Sequence, residues 1–187
     1  MRVLLIDPPF KRFTGLVNYY FPVGLACLAA AIRADDHEVT ILDVDALEKG
    51  SAIDFSHEYA RLELYRQGLN DRSHPVWSEV RQTLDEFRPE IVGVTAMTTK
   101  FGSVLRTVDL IKEYDRDATV VVGGPHATLL PDQTLKSKSV DIVVRGEGET
   151  TFRDLLRALR RRMTFMALRE SHFAPAETCT TMLHGPS

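Results

Sequence analysis

Two hydrophobic periods alternate along this chain. Val3 to Ile6 is an unbroken apolar run, and Ile91 to Thr95 and Ala118 to Val122 repeat the form. Runs of this length suit parallel strands covered on both faces. His37 to Leu42 and Asp141 to Val144 add two more strands. Between the strands, apolar positions recur every three or four residues, the period of a helix with one buried face. Leu25, Leu28, Ala29 and Ile32 mark one helix, entered at Pro22. Phe55, Tyr59, Leu62 and Tyr65 mark another over 54–67. Gly68 to His74 reads as a turn. Pro75 opens a third helix with Val76, Val80, Leu84 and Phe87 on one face, and Pro89 ends it. Val104, Val108 and Ile111 mark a fourth; Phe152, Leu155, Leu156 and Leu159 mark the last, with Thr150 or Thr151 as its cap. A short helix is expected around 131–137, and a long loop from Asp7 to Phe21.

Strands alternating with helices imply a parallel sheet with right-handed crossovers and helices on both faces. Five such strands predict a doubly wound, flavodoxin-like (Rossmann-like) α/β fold of order 2-1-3-4-5. The helices over 54–87 form an insertion between strands 2 and 3. This domain is expected over 1–160. Beyond it the pattern degrades: 162–170 reads as a helical continuation, and Ala174 to Ser187 as loop or disorder. A tail of 161–187, partly helical or disordered, is the expectation.

Composition narrows the function. With 187 residues, 44% hydrophobic and 26% charged, the chain is a globular domain large enough for one core. A net charge of -3 gives no general attraction to nucleic acid or to an anionic membrane. No run approaches the ~20 apolar residues that span a bilayer. The opening Met1 to Asp7 reads as a buried strand rather than a signal peptide, so the cytoplasm is the expected location. The two cysteines, Cys27 and Cys179, form neither a disulfide framework nor a metal motif. Cys27, in an apolar helical run, is expected to be a small core residue.

In an open α/β sheet, ligands bind beyond the carboxyl ends of the strands. Here those ends are Asp7-Pro8-Pro9, Thr95-Ala96-Met97-Thr98, Gly123-Gly124-Pro125-His126 and Arg145-Gly146-Glu147. Glycines allow close approach to the main chain, and threonines supply hydroxyls. Neither a phosphate loop nor a dinucleotide fingerprint follows the first strand.

At these positions the chain resembles a known family. Cobalamin-binding domains of the methionine synthase type carry D-x-H-x-x-G, S-x-L and G-G after strands 1, 3 and 4. Thr95-Ala96-Met97 stands in the second place, and Gly123-Gly124 follows after 25 intervening residues. The first motif departs: proline replaces the cobalt-ligating histidine, and Arg12 the glycine. Asp7-Pro8-Pro9, Phe21-Pro22-Val23-Gly24-Leu25, Gly123-Gly124-Pro125-His126-Ala127-Thr128 and Val144 to Phe152 together resemble the cobalamin-binding half of cobalamin-dependent radical SAM enzymes. The resemblance covers residues 2 to 160. It implies cobalamin as cofactor, bound base-off and without a protein histidine on cobalt. The residues it points to are Asp7, Pro8, Tyr20, Thr95, Ala96, Met97, Thr98, Gly123, Gly124, Pro125, His126, Gly146 and Glu147. Of these, Thr95, Gly123 and Gly124 would line the channel for the nucleotide tail. His126 follows the fourth strand, so it reads as a hydrogen-bond partner of the corrin or tail, or as a half-exposed loop residue, rather than a cobalt ligand. Asp7 orders its loop or contacts the ligand.

The radical half needs C-x-x-x-C-x-x-C for its cluster, and this sequence has none. The chain is therefore not expected to be a complete radical SAM enzyme on its own: either a radical SAM domain or subunit in trans is its partner, or the chain is a truncated or isolated piece of a larger enzyme. The alternative is a flavodoxin-like regulatory or interaction domain, or a truncated remnant, that no longer binds cobalamin. Neither a nucleic-acid nor a membrane partner is expected.

Overall fold

Five parallel strands with apolar side chains on both faces can be buried only between two helical layers. That is the architecture of the computed structural model, which describes residues 1–15, 21–46 and 58–160. In chain order the elements are β1 (Arg2–Asp7), α1 (Lys11–Thr14), α2 (Val23–Arg33), β2 (Glu38–Asp43), α3 (Glu58–Asn70) and α4 (Pro75–Phe87). They continue with β3 (Ile91–Thr95), a 3₁₀ turn (Thr98–Lys100), α5 (Phe101–Tyr114), β4 (Thr119–Gly123), α6 (Pro125–Leu129), α7 (Pro131–Thr134), β5 (Ile142–Val143) and α8 (Gly148–Arg160). The sheet order is β2-β1-β3-β4-β5, all parallel. The doubly wound order expected from periodicity is thus the order found, with α3 and α4 as the insertion.

Alternate residues of each strand feed two cores. Leu4, Ile6, Val92, Val94, Val120 and Val122 pack with Trp77, Leu84 and Val108 from α4 and α5. Val3, Leu5, Ile91 and Val121 pack under Leu25, Ile32, Phe152 and Leu155 from α2 and α8. The reversal of winding lies between β1 and β3, so loops leaving these strands diverge and open a crevice at the carboxyl edge.

Several expectations need correction. The second strand starts one residue later, at Glu38. The loop after β1 contains α1, which has no capping side chain of its own. Gly68, expected in a turn, lies inside α3 and is buried. A Cβ there would stand 2.2 Å from the Phe13 ring, so glycine is what lets α1 press against α3. The single short helix expected near 131–137 is the pair α6 and α7. Cys27 is exposed, because Leu25, Ala29 and Ile32 take the buried stripe of α2 and leave it on the outer face. The expectations for Tyr20, the start of the helix from 54, and the tail from 161 fall outside the described residues.

Candidate functional site

The carboxyl edge is stitched together by backbone bonds that cross between loops. Thr95 pairs with Gly123 at the ends of β3 and β4. Beyond them the Ala96 amide donates to the Gly123 carbonyl at 2.7 Å, and the His126 amide to the Ala96 carbonyl at 3.0 Å. Gly124 makes this crossing possible: its φ is +97°, and a Cβ would lie 3.0–3.1 Å from Thr95 Oγ1 and the Ala96 backbone. The Thr128 hydroxyl donates to the Gly124 carbonyl and accepts from the Gly146 amide at 2.9 Å, joining the loops after β4 and β5.

A cleft of about 470 Å³ opens between these loops, within the ~300–1,000 Å³ usual for small-molecule sites. It runs down from the sheet edge on the side of α2 and α8. Gly93, Val121 and Val144 form its sheet wall, with Leu28 and Phe152 opposite. Its inner part is apolar, and its mouth carries Asp7, Asp45, Lys11, Lys100, Glu147 and Glu149.

Asp7, Thr95, Met97, Gly123, Gly124, Pro125, Gly146 and Glu147, singled out from the sequence, all border this cleft. Four others do not. Pro8 is buried, and its carbonyl accepts from the Lys100 ammonium at 3.1 Å. Ala96 is fully buried among the residues packed on α4 and α5. Thr98 is exposed and within 3.1 Å of His126 Nδ1. His126 is only 2% exposed and stacks on Phe101 with ring centroids 3.8 Å apart. It therefore stands behind the loop, neither half-exposed nor on the cleft wall. Its Nε2 has no partner, and burial holds its pKa below the ordinary histidine value.

Residues that motif matching passed over complete the cleft. Gly93 sits mid-strand, and a Cβ there would meet the Leu5 side chain at 2.8 Å. A glycine inside an apolar strand is itself a signal of close approach. Lys100 is the other: only 8% exposed, it pairs its ammonium with Asp7 and stands 3.9 Å from Asp45 Oδ2. Burial pushes the Asp7 carboxyl above the ordinary range, Lys100 opposes this, and Asp45 and Asp43 add to it. Asp45 Oδ1 accepts from the Phe10 and Lys11 amides at 2.6 and 2.8 Å, supplying α1 with its missing cap from 34 residues away. Arg12 forks onto Glu79 of α4, and the guanidinium holds that carboxyl below its usual range.

No group of three or more His, Cys, Asp or Glu among the described residues is placed to hold a metal ion. No described helix is long and apolar enough to cross a membrane. The cleft is thus apolar at its inner end and polar at its mouth.

Comparison with known proteins gives this cleft a context. The family model for the B12 binding domain matches residues 14–156. An uncharacterized methyltransferase of Pyrococcus horikoshii is 33% identical over 164 residues, covering 85% of this chain and 29% of that protein. Cytidylyl-2-hydroxyethylphosphonate methyltransferase of Streptomyces wedmorensis is 28% identical over 158 residues, covering 81% of this chain and 27% of that one. Among solved structures, the radical S-adenosylmethionine methyltransferase TsrM of Kitasatospora setae, with cobalamin and a 4Fe-4S cluster bound, superposes with a TM-score of 0.61 at 22% identity. That match covers 87% of this chain and 25% of TsrM, and it bears on the fold alone. The chain thus spans less than a third of the length of these relatives.

Proposed function

The chain belongs to the B12 binding domain family, whose cofactor is cobalamin, and on that premise we propose that it holds cobalamin base-off, without a protein histidine on cobalt. In this reading it is the cobalamin-binding part of a radical SAM methyltransferase-like system, and a radical SAM domain or subunit is its partner. The relatives from Pyrococcus horikoshii and Streptomyces wedmorensis are methyltransferases, which supports that assignment.

The observation that carries the proposal is the shape of the cleft. A polar mouth at the sheet edge leads into an apolar slot between the sheet and the two helices α2 and α8. Cobalamin has a matching division: a broad corrin with amide arms, and a nucleotide tail ending in a flat aromatic base. The corrin would rest at the mouth near Asp7, Met97 and Glu147. The tail base would enter beside Gly123 and Gly93, against Val121, Val144 and Phe152. With the tail drawn into the slot, its base is kept from the metal. The cofactor, when bound, supplies a cobalt centre that carries a methyl group or exchanges electrons. The protein residues exclude water, hold the tail and orient the ring.

The histidines favour the second half of the proposal. Pro9 occupies the position of the family's ligating histidine. Among the described residues, His126 is turned onto Phe101, and His37 and His74 do not line the cleft. Electron paramagnetic resonance of the bound cob(II)alamin tests this. The expected spectrum has no nitrogen splitting on the cobalt lines; a nitrogen-split spectrum would contradict the base-off, His-off reading.

A further inference from the structure

We propose that Lys100 is a positioning residue for the corrin: its ammonium clasps three loops and preforms the mouth of the cleft. The inference rests on the reading of this cleft as a cobalamin site. A lysine is almost never buried unless paired, and this one is paired three ways. Nζ donates to the Asp7 carboxylate at the end of β1 and to the Pro8 carbonyl, and it faces Asp45 beyond β2. Lys100 itself ends the turn that follows β3. One charge thus fastens the carboxyl ends of the three strands β2, β1 and β3, on both sides of the reversal in winding. Asp45 extends the clasp to α1 through the Phe10 and Lys11 amides. Asp7, Phe10, Lys11, Asp45, Thr99 and Lys100 all border the cleft, so the clasp and the mouth share their residues. The slot farther in, beside Gly123, draws on none of them.

This separation makes the inference testable with two ligands. Hydroxocobalamin carries the nucleotide tail; cobinamide is a corrin without it. Lys100→Met is expected to weaken both by the same factor, about tenfold, because the clasp preorganises the mouth that receives the corrin, which both ligands carry. Lys100→Arg, which keeps the charge, is expected to stay within about threefold of the native affinity. The double variant Asp7→Asn/Lys100→Met also removes the carboxylate that the ammonium bonds, while Asp45 keeps its bonds from the Phe10 and Lys11 amides, so its melting temperature should recover relative to Lys100→Met while its affinity for both ligands stays about tenfold down. That split separates positioning from mere support of the fold, and the double variant carries the test even where Lys100→Met does not fold. Native affinity for cobinamide in folded Lys100→Met overturns the inference, as does affinity that recovers together with melting temperature in the double variant. Failure of the native protein itself to bind hydroxocobalamin overturns instead the reading on which the inference rests.

Discussion

Lys100 and His126 show how a side chain's role depends on partners far away in sequence. Nothing in the run Thr98-Thr99-Lys100 marks the lysine as buried, since its partners Asp7 and Asp45 lie 93 and 55 positions earlier. Asp7 was legible as a strand-end acid, but its ion pair was not. Removing one member of a buried pair leaves an uncompensated charge, so Lys100→Met should cost about 3–5 kcal/mol at neutral pH. The folded-state pKa of Asp7 is already raised above its unfolded value. Protonation therefore favours the folded state, and stability falls as pH rises through that raised pKa. Losing Lys100 raises it further, so the melting-temperature gap between Lys100→Met and the native protein should be narrower at pH 5 than at pH 7. An equal gap at both would contradict the pairing. His126 works in the opposite sense. Its folded-state pKa is lowered by burial, so its contribution is complete above the unfolded value and is lost as pH falls through the lowered one. His126→Gln removes that titration, and its melting temperature should decline less steeply between pH 7 and pH 5. Parallel slopes would show that His126 does not titrate on unfolding. His37, also buried with a lowered pKa, contributes to the slope that remains.

At the scale of elements, regular structure was legible wherever a local period set it. All five strands and the helices α2, α4, α5 and α8 follow from apolar spacing, because each buries one continuous face. Two of the elements misread are set by tertiary contact. α1 is four residues long and is capped by Asp45 from beyond β2, so no neighbouring residue announces it. Gly68 looks like a helix breaker, yet its missing side chain is what admits the Phe13 ring. Gly68→Ala sets these effects against each other. Alanine gains about 1 kcal/mol of helix propensity, while the clash with a packed ring costs about 1–3 kcal/mol. A net loss in denaturant unfolding is expected; a stabilised protein would show that α1 does not depend on this contact. Gly123 offers the complementary test at the site. An added Cβ would meet Val144 only at an ordinary 3.7 Å, so Gly123→Leu should keep the fold while filling the slot. Its affinity for hydroxocobalamin should fall at least about tenfold, with cobinamide little affected. Equal losses for both ligands would place the tail elsewhere. Gly124 is the poorer choice, since its φ of +97° strains any other residue.

At the scale of the whole molecule, the sheet order and the cleft are one consequence of the strand pattern. A parallel sheet wound in both directions from β1 and β3 must part its loops at the carboxyl edge, and the glycines there keep the gap open. The motif residues located this edge because they mark loops, which are local. The walls of the slot were not legible, because Leu28, Val121 and Phe152 look like any other core residues until helices and sheet are brought together. The inward turn of His126 was not legible either, since it depends on Phe101 arriving from α5. The central claim is that this cleft binds cobalamin. Its most direct measurement is the visible spectrum of the purified protein after mixing with hydroxocobalamin and desalting. A coloured protein carrying about one corrin per chain is the predicted result. A colourless protein whose circular dichroism shows an intact fold would contradict the account.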